Sequence, residues 1–261
     1  MILNLNKISK TLVKVSLLFF AAILSANHAF SGSPISNVGG SSVNKGELDI
    51  QARFGYQADK DGNSSNNRLR TRQHIDYGVT DWYAFRALVF QDKRAGENIE
   101  HDTIAAETRF QLIEKRDHGW DAGFRLRYYF RDGDKKPDEV RLSLLAQVPF
   151  AKFWEFRHNI IMEHAVGADS QNGILLTFRN KISRNFQVDT KNIKKASLGL
   201  ATYSDLGNME ESLSYSEQDH ELRAILKIQF KNNLAIRAGY GFALSDAGAN
   251  RNVMLWLGKE F

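Results

Sequence analysis

The chain has 261 residues, 43% of them apolar and 25% charged, with no Cys and only 3 Pro. That composition is too apolar for a disordered chain and too charged for a bundle of membrane helices, and the missing thiols exclude a disulfide scaffold and a thiolate metal site. The formal net charge of +5 would point to a nucleic-acid or anion binder only if the charge sat on the folded part.

Much of it does not. Lys7, Lys10 and Lys14 precede an apolar run, Val15 to Ala26 (VSLLFFAAILSA), and small residues follow at Ala26 and Ala29. This pattern predicts a secretory signal peptide over residues 1–29, cut between 26 and 31, and the run is shorter than the ~20 residues of a spanning helix. Without those three lysines the chain carries 32 basic and 30 acidic residues, so no nucleic-acid partner is expected. Residues 30–45 (FSGSPISNVGGSSVNK) are Gly- and Ser-rich and read as a flexible leader.

From residue 46 the apolar pattern has period 2. In WDAGFRLRYYFR, Trp120, Ala122, Phe124, Leu126, Tyr128 and Phe130 fall on one face, while Asp121, Gly123, Arg125, Arg127, Tyr129 and Arg131 fall on the other. A strand separates these sets and a helix would scatter them. The alternation predicts about twelve strands near 46–57, 68–79, 82–91, 103–114, 119–131, 139–149, 152–165, 173–188, 194–203, 220–230, 233–244 and 251–261. Asn192, Lys194 and Lys195 disturb the pattern of the ninth.

The links alternate in length. Odd-numbered links are polar and mostly long: DKDGNSSN, DKRAGENIEHD, DGDKKPD, GADSQN, the stretch Ser204–Asp219 and SDAGANR. Even-numbered links are mostly tight, as at Thr80-Asp81, Ala151 and Lys231–Asn233. Aromatics cluster near the tight turns (Tyr77, Trp82, Trp120, Phe150, Trp154) and near the loop ends (Phe54, Tyr56, Phe90, Phe130, Tyr203, Tyr240), as two interfacial belts require. The chain closes on Phe261, with Val253, Leu255 and Leu257 on the same face.

In link lengths, belts and aromatic end, residues 46–261 resemble Gram-negative outer-membrane β-barrels: closed, antiparallel, with short periplasmic turns and longer extracellular loops. That resemblance implies outer-membrane lipid and lipopolysaccharide as surroundings, and Phe261 as an assembly signal read by the barrel assembly machinery. Lys259 departs from the usual aromatic or apolar residue at its position.

On this reading the polar face lines a lumen. Parity then puts Arg53, Arg68, Arg70, Arg72, Arg86 and Arg109 inside. Arg125, Arg127, Arg131, Arg141, Arg157, Arg179, Arg223 and Arg237 follow, with Lys181 and Lys227. Nine inward acids leave a surplus of seven positive charges. Arg68, Arg70 and Arg72 stand in a row with ~7 Å steps that repels itself unless acids or anions intervene. Guanidinium forks suit carboxylates and phosphates, and a cavity of one charge sign concentrates counter-ions, so thirteen of these arginines, all but Arg131, form a candidate track for small anionic solutes. Twelve strands lie between filled eight-stranded barrels and open sixteen-stranded porins. In size and basic lumen the chain is similar to small channels for acidic oligosaccharides, such as oligogalacturonate and sialic-acid porins, although no sequence motif carries that likeness.

The Ser204–Asp219 link holds Asp205, Glu210, Glu211, Glu217 and Asp219 with no Lys or Arg, which makes it a candidate gating loop over a basic lumen. No catalytic motif is present, and no cofactor or metal is implied. His74, two residues from Asp76 on the Arg face, is the nearest approach to a general base. The alternatives are a barrel enzyme acting on lipid or lipid A, a non-conducting structural barrel, and a secreted soluble β-protein with its apolar face turned inward.

Overall fold

A computed structural model describes residues 33–60, 66–131, 136–167, 170, 173–188, 190–211 and 213–261. The expected signal peptide lies outside these residues, as do parts of four of the expected loops. Twelve strands follow one another: β1 (Leu48–Ala58), β2 (Arg68–Gly78), β3 (Tyr83–Lys93), β4 (Glu100–Ile113), β5 (Asp121–Arg131), β6 (Asp138–Ala151), β7 (Trp154–Val166), β8 (Leu175–Gln187), β9 (Ile193–Asn208), β10 (Asp219–Phe230), β11 (Leu234–Ala243) and β12 (Arg251–Glu260). Each pairs antiparallel with its neighbours in sequence, and β1 pairs with β12, so the sheet closes and no strand edge is left exposed. Strand lengths of 10 to 16 residues meet the ~9–11 needed to cross a bilayer at a tilt.

The tight turns use local chemistry. The β4–β5 link winds into one helical turn, α1 (Lys115–His118), closed by Gly119 at φ 79°, whose N–H bonds Lys115 O at 2.7 Å. Asn233, between β10 and β11, takes φ 63°, a left-handed conformation that Asn tolerates. The ninth strand runs on to Asn208, so residues 204–208 are wall and the expected Ser204–Asp219 loop shrinks to 209–218.

The faces sort as the alternation requires. Phe54, Ile75, Leu126, Leu144, Leu198 and Val253 are exposed on the outside, while Arg53, Arg86, Glu107, Arg127 and Arg223 are buried on the inside. This is the lipid-facing orientation, opposite to that of a water-soluble barrel, whose apolar side chains fill the centre. Two aromatic belts form, with two corrections. Phe90 and Tyr203 point into the lumen, because they share parity with Arg86 and Ala201, which are also buried there.

The largest departure from expectation is the leader. Residues 33–44 do not hang free; they run inside the barrel. The chain turns inward at Gly46 (φ 79°), where Gly46 N–H bonds Gly78 O at 2.7 Å. It then passes so near Gly78 that a Cβ there would lie 1.9 Å from Asn44 O, so only glycine fits. Further in, Val38 packs with Ala201, Tyr203, Ile225, Met254 and Trp256 on one wall. Ile35 packs with Leu88, Phe90, Ala105 and Tyr129 on the other. These two apolar side chains bury themselves on opposite walls and span the lumen.

Candidate functional site: the arginine-lined lumen

The strands and the leader enclose a cavity of about 1120 Å³. Twelve of the thirteen arginines assigned to the solute track border it; Arg223 is sealed off beneath the leader. Arg131 and Lys227 also border it, and Lys181 does not.

Much of the charge is neutralised within the wall. Glu107 on β4 accepts from Arg127 Nε at 2.7 Å and Arg86 Nη1 at 2.9 Å, with Arg125 3.7 Å away. Arg86 also donates to Asp76, which takes a further bond from Arg109 at 3.2 Å. Two acids thus serve four arginines. A second chain runs Arg131–Glu139–Arg141–Glu163, with contacts of 2.5, 3.2 and 2.8 Å. Arg157 pairs with Glu155 at 2.7 Å, and Arg223 pairs with Glu221 at 2.6 Å.

The expected row of repelling arginines is relieved by acids that parity counting left out. Arg68 bonds Asp92 at 2.9 Å, and Asp102 lies 3.9 Å from Arg70 and 3.0 Å from Lys136. Asp205 borders the cavity, and Asp219 is buried in the wall. The sequence-derived surplus of seven is therefore too large. Sixteen basic and ten acidic residues border the cavity among those described, but Asp76, Asp92, Glu107 and Glu155, which pair with six of the bordering arginines, lie behind that surface. With them the count is sixteen to fourteen, and the excess rests on the basic groups that lack a partner.

The surplus is concentrated. Among the described residues, Arg53, Arg72, Arg179, Arg237, Lys181 and Lys227 have no carboxylate within 4.0 Å. Four of them stand in one cross-strand row. Lys227 on β10 is opposite Arg237 on β11, which is opposite Trp256 on β12. Trp256 is opposite Arg53 on β1, and Arg53 is opposite Arg72 on β2. The guanidinium carbons of Arg53 and Arg237 lie 3.8 and 4.5 Å from the Trp256 ring centroid. Arg72 lies over Phe90 at 5.9 Å, and Arg179 lies over Tyr203 at 5.8 Å. Ring faces partly offset the missing carboxylates through cation–π attraction while leaving the charge intact. Because barrel strands tilt, such a row climbs obliquely along the wall instead of circling at one height.

The leader lies across the middle of this row. Arg53 Nη1 donates to Ile35 O at 3.2 Å, and Arg237 Nη1 donates to Asn37 Oδ1 at 3.1 Å. Arg223 Nη1 donates to Pro34 O at 3.1 Å and Ser36 O at 3.2 Å, and Tyr203 OH donates to Ser36 O at 3.3 Å. On the short-turn side, Val43 N–H bonds Gln111 Oε1 at 2.7 Å.

Of the candidate gating residues, Asp205 and Asp219 are strand residues, with Asp205 accepting from Thr177 Oγ1 at 2.6 Å. Glu210 and Glu211 are exposed on the 209–218 loop, Glu211 at the cavity border, and Glu217 bonds Ser214 N–H at 3.1 Å. His74 lies buried 3.9 Å from Asp49, with no hydroxyl bonded to its ring. Phe261 extends the closure of the barrel: its N–H bonds Leu48 O at 2.9 Å.

No family model matches the sequence, and no curated protein is similar to it. Solved structures are similar in fold. The NanC porin matches with a TM-score of 0.53 and 12% identity over 81% of this chain and 98% of its own. The KdgM porin matches with a TM-score of 0.54 and 10% identity over 82% and 99%. The COG4313 outer membrane channel from Pseudomonas putida F1 matches with a TM-score of 0.53 and 11% identity over 87% and 100%. The fold is that of the twelve-stranded outer-membrane barrels.

Proposed function

We propose that this chain is an outer-membrane channel for passive diffusion of small anionic solutes. The observation that carries this reading is the cross-strand row Lys227–Arg237–Arg53–Arg72, in which no member has a carboxylate within 4.0 Å among the described residues. Paired arginines stiffen a wall; unpaired ones leave a positive field in a cavity with low-dielectric walls, and that field gathers anions. At three of the four positions guanidinium stands in place of ammonium and offers a bidentate fork to carboxylate or phosphate.

The fold of two porins and an outer-membrane channel supports the same reading, as does the apolar exterior. The short-turn rim, where both ends of the barrel lie, is the periplasmic one in this proposal, and Phe261 at the end of the closing strand serves as the assembly signal. The solute track comprises the unpaired row together with Arg179. Reversal potentials in planar bilayers under a KCl gradient test the proposal: chloride should permeate in preference to potassium. Preference for potassium would overturn it.

A further inference from the structure

The leader carries no charge from Ser33 to Asn44, yet it lies against the most concentrated unneutralised charge in the barrel. It offers Arg53 a single backbone carbonyl and Arg237 a single amide oxygen, at 3.2 and 3.1 Å. Both are longer than the ~2.7–2.9 Å of a charge-assisted N–H to carboxylate bond, and each occupies one donor of a fork that a carboxylate would take with two parallel bonds. The leader therefore satisfies these two guanidiniums incompletely; Arg53 has one further neutral partner, donating from Nε to Gln51 Oε1 at 2.5 Å, and a carboxylate would satisfy both better. By contrast Arg223, which holds the far end of the leader through Pro34 O and Ser36 O, is already neutralised by Glu221.

We infer that residues 33–44 are a built-in occupant of an anion site formed by Arg53 and Arg237 on either side of Trp256, and that a carboxylate-bearing solute displaces them to widen the lumen. This rests on the anion-channel reading and deepens it: the leader is a neutral stand-in for the solute. Gly46, in the left-handed region at the entrance, is the point about which the segment swings toward the short-turn rim. The exchange is self-consistent in charge, because a neutral segment leaves and an anion enters a site with no carboxylate within 4.0 Å of either guanidinium among the described residues.

The absence of native Cys makes the test direct. Ser36→Cys and Ser41→Cys are near-isosteric single substitutions at buried positions of the leader. Each variant, in lipid vesicles, is treated with a small neutral maleimide in buffer containing sodium glucuronate, sodium chloride at the same ionic strength, or glucose at the same osmolarity. Labelling should be slow in glucose and chloride and should rise at least about fivefold in glucuronate, which is the population shift expected of a ligand that prefers the leader-out state. In the Arg53→Gln/Arg237→Gln background, labelling should already be fast and should no longer respond to glucuronate. Unchanged labelling in glucuronate, or an equal rise in glucose, overturns the inference. The reversal potential of the same preparations separates the two readings: anion preference with an unresponsive leader sinks only the displacement, and cation preference sinks the channel reading beneath it.

Discussion

Asn159 grips the backbone of Gly39 at both ends of its amide: Oδ1 accepts from Gly39 N–H at 2.8 Å, and Nδ2 donates to Gly39 O at 3.1 Å. A wall side chain thus supplies what a neighbouring strand would, and it satisfies two backbone groups that the lumen would otherwise leave dry. A Cβ at Gly39 would lie 2.5 Å from Arg125 Nη2, so a larger residue there would require the tip of that arginine to move.

Asn159→Leu removes both bonds while keeping the side-chain volume similar. At ~0.5–1.5 kcal/mol per hydrogen bond, the seating of the leader should weaken by about 1–3 kcal/mol. Hydrogen exchange read by mass spectrometry on a peptide spanning residues 33–44 should show faster uptake in the variant, with the strands unchanged. Asn159→Asp keeps the acceptor for Gly39 N–H and loses only the donor, so its uptake should fall between the two. Equal protection in all three proteins would mean that the clasp does not hold the segment.

Glu107 is the keystone of the charge network on β3–β5, being 2% exposed and serving Arg86, Arg125 and Arg127. Glu107→Gln leaves the buried Arg127 and the half-buried Arg125 facing a neutral amide, and Arg86 with Asp76 alone. Removing one member of a buried ionic cluster costs ~3–5 kcal/mol, because the partners remain charged and desolvated. The urea midpoint for unfolding in vesicles should fall accordingly. Adding Arg127→Met should restore part of the loss, since it removes one of the stranded charges. A single variant as stable as the parent would show that water, not Glu107, solvates these arginines.

Lys227 is the opposite case. It ends the unpaired row, with no carboxylate within 4.0 Å among the described residues, so nothing is stranded when it goes. Lys227→Gln should lower the chloride-to-potassium permeability ratio without lowering the unfolding midpoint. Loss of selectivity accompanied by loss of stability would place Lys227 in a structural network instead.

These contrasts show what the sequence could and could not convey. Period-2 alternation identifies walls and faces because side chains in a strand must alternate, so Arg53, Arg86 and Arg127 were legible as inward residues. The same parity marks Phe90 and Tyr203 as luminal; judging them by distance from a loop end misplaced them. Which arginines are neutralised depends on cross-strand register. Pairings such as Arg68 with Asp92, or the row through Trp256, are set by turn geometry and by the stagger of the closed barrel, not by any local pattern. The leader was illegible for another reason. Its Gly- and Ser-rich composition is that of a linker, and its main tie to the wall is its backbone, which every sequence possesses. Ile35, Val38 and Val43 alone hint at burial, and three scattered apolar residues carry little signal.

The orientation of the sheet itself yields a depth-dependent test. Leu126 lies mid-strand on β5, outward and 47% exposed, opposite Thr108 and Leu142. Leu112 is outward too, 69% exposed, but sits at the short-turn end of β4 beside the aromatic belt. An arginine on the lipid face costs ~2–4 kcal/mol at the bilayer midplane and ~0–1 near the interface, where it reaches water and headgroups. Leu126→Arg should therefore lower the unfolding free energy in phospholipid vesicles by the larger amount and Leu112→Arg by the smaller. A barrel surrounded by water gives a different result, since an exposed leucine replaced by arginine in aqueous solvent changes stability by no more than ~0.5 kcal/mol at either position. Equal, small effects at both sites would mean that the apolar exterior does not face lipid. A steep difference between them fixes both the bilayer and the height of these two residues within it.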